Sequence, residues 1–220
     1  MLQWIYEFHI SIFIMKNLVI HDIVPGTENK ARKSDLTWEE VLSALRPYEH
    51  EEICLYVDDG YASILNYLPQ IIQLLPQAEI RLAVITNFID TPGYLSTQDL
   101  KRLDRKPRVT IVSHSTSHAA LTPDQAPDDY QIPSGGAYQD HAYSKTDALS
   151  EQEILYQLKE SQQLLETILD HPVQEFVLPF GWYTPQLISY IYSTKLYQTI
   201  SVTGVEADTD TISYRTIILA

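Results

Sequence analysis

Ile53-Cys54-Leu55-Tyr56-Val57-Asp58-Asp59-Gly60-Tyr61 is the stretch on which the reading of this chain turns. Five uncharged residues stop abruptly at two carboxylates and a glycine. A short apolar run closed by an Asp-Gly turn signal reads as a β-strand.

Working outward, the same pattern recurs. Upstream, Leu18 to Ile20 reads as a strand ending at His21-Asp22, and Thr37 to Leu45 as a helix. Thr37 and Glu40 stand three apart there, as in a capping box. Downstream, Ala62 to Leu75 carries apolar residues at helical spacing, and Pro69 is expected to kink or split that helix. Ile80 to Ile85 and Val109 to Val112 read as strands, with a short helix from Ser96 to Leu103 between them. Ser150 to Leu169 is a long helix with a Ser150/Glu153 capping box and an apolar face of Ile154, Leu158, Leu164, Leu165 and Ile168. A strand over Val173 to Leu178, a helix over Thr184 to Tyr192, and strands over Tyr197 to Val202 and Ser213 to Leu219 complete the series. Strands alternating with helices predict an α/β domain with a mainly parallel sheet, as a barrel or an open sheet. In either form, reactive groups collect at the carboxyl ends of strands.

The polar residues fall at those ends. Besides Asp58-Asp59, the strands end in His21-Asp22, in Ser113-His114-Ser115-Thr116-Ser117-His118, and in Pro179-Phe180-Gly181. His114 and His118, four apart, can share a metal ion across one turn. Asp59 supplies a carboxylate, and two His plus one carboxylate is a common catalytic set for divalent ions. The neighbouring Asp58 can accept a proton from water. Each feature also has a plain structural reading: an Asp-Gly turn, or a pair of hydrogen-bonded histidines.

Composition bounds the alternatives. The chain has 220 residues, 45% of them hydrophobic, which suits one buried core. A formal net charge of −14 repels phosphate backbones and disfavours nucleic-acid binding. Cys54 is the single cysteine, so no intrachain disulfide forms, and its apolar surroundings suit a core residue. Leu2 to Met15 is interrupted by Glu7, His9 and Ser11, without a basic segment before it or a cleavage site after it. It fits neither a signal peptide nor a membrane span, so a cytoplasmic protein is expected, with 1–14 an upstream extension of a domain over 15–220. Thr122 to Ala148, rich in Pro, Gly, Asp and Tyr, reads as a long loop, with Tyr130 to Tyr143 able to close over a ligand.

Three segments together resemble the polysaccharide deacetylase (NodB-homology) family. Tyr56-Val57-Asp58-Asp59-Gly60-Tyr61 is similar to its first motif, Ser113 to His118 to its second, and Val177-Leu178-Pro179-Phe180-Gly181 to a variant of its third. The resemblance runs from about Asn17 to Leu219 and implies a distorted (β/α) barrel with about seven strands. It implies metal ligands at Asp59, His114 and His118, a catalytic base at Asp58, and an oxyanion-binding N–H at Phe180. The implied cofactor is a divalent metal, zinc first, with cobalt or nickel as alternatives. The implied reaction is removal of N-acetyl groups from an amino sugar in a glycan or glycan precursor.

Two departures stand out. The family's third motif often begins with an Arg that orients the base; here Val177 and Leu178 occupy that region. Its last motif often supplies a His as general acid, yet no His occurs from Ile191 to Ala220, where Arg215 lies on a late strand. His21 or His141 is the expected substitute acid. Trp182 and Tyr183, just after the third motif, can stack on a sugar ring or pack the barrel end. Two other readings stay open: a metal-binding relative that holds glycans without hydrolysis, and a hydrolase of a non-sugar amide.

Overall fold

A computed structural model describes residues 16–30, 34–122, 149–203 and 212–217; in the last segment Arg215 is the one side chain described. The expected loop over 122–148, with His141, and the N-terminal extension lie almost wholly outside the described residues. Seven parallel strands close into a barrel: β1 (Lys16–Ile20), β4 (Ile53–Val57), β5 (Glu79–Val84), β6 (Val109–Ser113), β7 (Glu175–Val177), β8 (Thr199–Thr203) and β9 (Ile212–Ile217), in that spatial order. Closure comes from β9 lying back against β1, with Leu18 opposite Thr216 and Val19 opposite Ile217. A separate two-residue ladder, β2 (Ile23–Val24) with β3 (Leu36–Thr37), was not anticipated from the pattern. Two-residue strands are too short to show a period.

Among the described residues five α-helices cover the barrel: α1 (Trp38–Leu45), α2 (Ile64–Leu74), α3 (Thr97–Asp104), α4 (Glu151–Leu169) and α5 (Pro185–Thr194). Capping boxes at Thr37/Glu40, Ser96/Asp99 and Ser150/Glu153 satisfy the orphan amides that start α1, α3 and α4. Pro69 does not split α2. The helix begins only five residues earlier, so the lost hydrogen bond falls on its first turn, which is wound tightly through Leu65 N to Ala62 O and Asn66 N to Ser63 O. On α4, Leu164 is 42% exposed and lies off the apolar face, whereas Ser161 and Gln162 are buried.

Strand parity separates two cores. Leu18, Ile20, Leu55, Leu82, Ile111 and Phe176 face the helices and join the main apolar core. Residues of the opposite parity, Val19, Cys54, Tyr56, Ala83, Val112 and Val177, form a second, smaller cluster inside the barrel. Burial pushes the Cys54 thiol up to about 12, so it is a packing group and not a nucleophile at neutral pH. Polar residues continue this interior: Glu175 accepts hydrogen bonds from Tyr56 Oη at 2.7 Å and Ser201 Oγ at 2.6 Å, and pairs with Arg81 Nε at 3.3 Å. The same inward parity carries on past the strand ends to Asp58 and His114.

Candidate active site

β4 runs into Asp58-Asp59-Gly60, and Asp58 N donates to Ile20 O at 3.0 Å, so the first strand holds the turn in place. β6 delivers His114, whose N donates to Val84 O at 3.0 Å. The chain then coils so that His118 returns beside it: His118 N donates to Ser115 Oγ at 2.9 Å. His114 Nε2 and His118 Nε2 are 3.1 Å apart, and each is 3.5 Å from Asp59 Oδ1. All three residues are buried.

This triangle fits a divalent ion. Three N and O ligands at 2.0–2.2 Å from a tetrahedral centre stand roughly 3.3–3.6 Å apart. His114 Nδ1 lies 2.8 Å from Val177 O. A carbonyl only accepts, so Nδ1 carries the proton and Nε2 presents its lone pair to the triangle. Burial pushes the His118 imidazole down to about 3, against the pull of Asp59, so it is neutral and able to ligate. Burial works against ionisation of Asp59, but the close contact with His114 and the electrostatic influence of the His118 and His21 imidazoles outweigh it and hold the carboxyl well below its ordinary range.

Asp58 does not join the triangle. Its carboxylate accepts from Arg215 Nη1 at 3.0 Å and 2.8 Å. Arg215 comes from β9, the last strand, and is 1% exposed. Burial raises the Asp58 carboxyl; the Arg215 cation beside it overcomes this and leaves it below its usual value, hence ionised. Asp58 thus has a cationic partner, which Val177-Leu178 do not supply, from a strand 157 residues further along the sequence.

Backbone strain concentrates here. Among the described residues eight non-glycines have positive φ, and four of them, Asp59, Ser115, His118 and Phe180, lie at this site. Such conformations cost on the order of 1–3 kcal/mol each and persist where surrounding contacts hold them. Gln157 of α4 is one such contact. Its Oε1 accepts from Thr116 N at 3.2 Å and Ser117 N at 3.1 Å. From the β5 side, Thr86 N donates to Ser115 O and Asn87 N to Thr116 O, at 3.1 and 2.9 Å. Gln157 was not singled out from sequence. Its signal was there: Gln157 and Ser161, four apart, interrupt an apolar helix face.

The other expected site residues are distributed as follows. Phe180, at φ 60°, turns the chain after β7, and its ring lies 4.5 Å from that of His118. Trp182 stacks on Phe180 at 4.8 Å and 22°. Tyr183 packs against the main apolar core. His21 is half-buried at the end of β1, close enough to act electrostatically on Asp58, Asp59 and His118.

Gly181 secures the Phe180 turn. Its φ is +68°, and a Cβ there would overlap the Thr203 side chain and lie 2.8 Å from Thr203 N. Gly181→Ala is expected to destabilise the fold by about 2–4 kcal/mol. In thermal denaturation this is a fall in Tm on the order of 10 °C. An unchanged Tm would show that the turn relaxes freely.

The polysaccharide deacetylase family pattern matches residues 46–199. A search of curated protein sequences returns no match. Among solved structures, the chain is similar to a putative polysaccharide deacetylase from Bacillus anthracis, with 19% identity and a TM-score of 0.65. That alignment covers 93% of this chain and 65% of the Bacillus protein, so the chain spans under two thirds of that relative's length. A deacetylase from Streptococcus pyogenes in complex with acetate gives 18% identity and a TM-score of 0.65, over 93% of this chain and 92% of the other. A de-N-acetylase from Aggregatibacter actinomycetemcomitans gives 14% and 0.63, over 93% and 94%. At these identities the structures attest the barrel, while the family pattern covers most of the sequence, including all three motifs. The chain belongs to the polysaccharide deacetylase family.

Proposed function

We propose that this protein is a divalent-metal-dependent N-deacetylase that cleaves the acetamide of an amino sugar in a glycan or glycan precursor. The observation that carries the reading is the division of labour between adjacent carboxylates. Asp59 faces two imidazoles, while Asp58 is held apart, ionised, by Arg215. A protein that only binds a metal has no use for the second arrangement.

Asp59, His114 and His118 would hold the ion, which when bound supplies Lewis acidity and lowers the pKa of water. Asp58 takes a proton from the attacking water as its oxygen bonds to the acetyl carbon. The Phe180 N–H donates to the oxyanion that develops on the acetyl oxygen. The C–N bond then breaks, giving acetate and a free amine that gains one proton. His21, at the end of β1 beside Asp58 and Asp59, would donate that proton and be reprotonated by the one Asp58 took from water. Trp182, stacked on Phe180, offers a face to a sugar ring, and Tyr183, the next residue, is the second aromatic proposed for that role, although it packs against the main apolar core. Zinc is the first choice of ion, and cobalt and nickel suit the same donors.

The carbohydrate assignment draws on the family and on what the similar proteins are called; a fold alone does not fix a substrate. Acetate release from N-acetylglucosamine oligomers, measured beside release from an N-acetylated peptide, tests it. Release from the sugar alone is the expected result. Release from the peptide alone would move the protein to non-sugar amides. Release from neither, with metal bound, would support a glycan-binding relative without hydrolysis.

A further inference from the structure

Beneath the site, the barrel interior contains a column of side chains that the reaction itself does not use. The Arg215 guanidinium, already paired with Asp58, lies with Cζ 5.0 Å from the centroid of the Tyr56 ring. That is within cation–π range, and the interaction strengthens in a desolvated site. Tyr56 is 3% exposed and Arg215 1%, so bulk water does not screen the contact. The ring is itself fixed at its far end. Tyr56 Oη donates to Glu175 Oε1 at 2.7 Å and lies 3.1 Å from Ser201 Oγ. Glu175 is anchored in turn by Arg81. Four strands, β4, β5, β7 and β8, thus hold one aromatic face against a cation from β9.

A guanidinium with a single carboxylate partner can swing about that contact. A fixed aromatic face on another side removes this freedom. We infer that Tyr56 is a positioning residue: its ring fixes the Arg215 guanidinium, which in turn aims the Asp58 carboxylate at the reacting water. The inference rests on the reading of Asp58 as the base. It assigns to Tyr56, two residues before that base, a role beyond filling the barrel.

The test uses graded electron withdrawal at constant shape. The full-length protein is prepared with Tyr56→Phe and with mono-, di- and trifluorinated phenylalanine at the same position. Folding and bound zinc are checked for each, and acetate release from N-acetylglucosamine oligomers is measured. Fluorination drains the negative face of the ring while barely changing its size. The expected result is a stepwise fall in kcat, about tenfold or more across the series, with KM and zinc content within about twofold. A flat kcat, or a loss that appears in KM or zinc content instead, overturns the inference. Should Tyr56→Phe not fold, ring-fluorinated tyrosines keep the hydroxyl and read the same trend. Absence of acetate release by the wild type is a different result, which removes the deacetylase reading and this inference with it.

Discussion

Asp58→Asn lowers the turnover of acetate release by about 10²–10⁴-fold, the usual weight of a general base, while bound metal stays near one equivalent. Asparagine is almost isosteric and its carbonyl still accepts from Arg215, so the buried guanidinium keeps a partner and the fold survives. It cannot take up a proton. Geometry makes the two readouts separable: Asp58 is bonded to Arg215 Nη1 at 2.8 Å, whereas Asp59 faces the histidines. Metal analysis and acetate assay on one preparation decide the matter. Loss of metal together with activity would make Asp58 a ligand. Retained activity would dismiss it as the base.

His118→Ala abolishes stabilisation of the fold by zinc. Loss of a partner that merely supports a ligand costs 10–100-fold in metal affinity. Loss of the ligand itself is therefore expected to exceed about 100-fold. A ligand present at a hundred times its Kd stabilises the native state by about 2.7 kcal/mol, which in a domain of this size raises Tm by roughly 5–11 °C. The wild type should show that rise on adding zinc, and His118→Ala should show none at the same concentration. The left-handed backbone at His118, φ 61°, adds a second effect. Alanine tolerates this conformation poorly, so the variant starts from a lower Tm without metal. An equal zinc-induced rise in both proteins would place the ion elsewhere.

The fold was legible because its signals are local. Helix starts at Thr37, Ser96 and Ser150 are written in residues three apart, and the strands are apolar runs that end in polar turns. The three motifs were legible for the same reason: each lies within a few residues. What escaped is non-local. Arg215 and Asp58 are 157 residues apart and meet only because β9 closes on β1. No periodicity announces that closure. From sequence Arg215 was only a residue on a late strand, in the region that lacks the family's histidine; in the fold its guanidinium pairs with Asp58. Gln157 was hidden differently. A polar side chain on an amphipathic helix usually faces water, and its bonds to Thr116 and Ser117 appear only once α4 is docked. Leu164 shows the converse, an apolar residue at helical spacing that the helix leaves exposed.

The most direct test of the central claim is a titration. Metal-stripped protein at a concentration well above the Kd for zinc is given increasing zinc, and acetate release from N-acetylglucosamine oligomers is followed. The account predicts no release without metal, a linear rise, and a break at one equivalent. Full activity in the stripped protein, or one equivalent of zinc bound without acetate release, would contradict it.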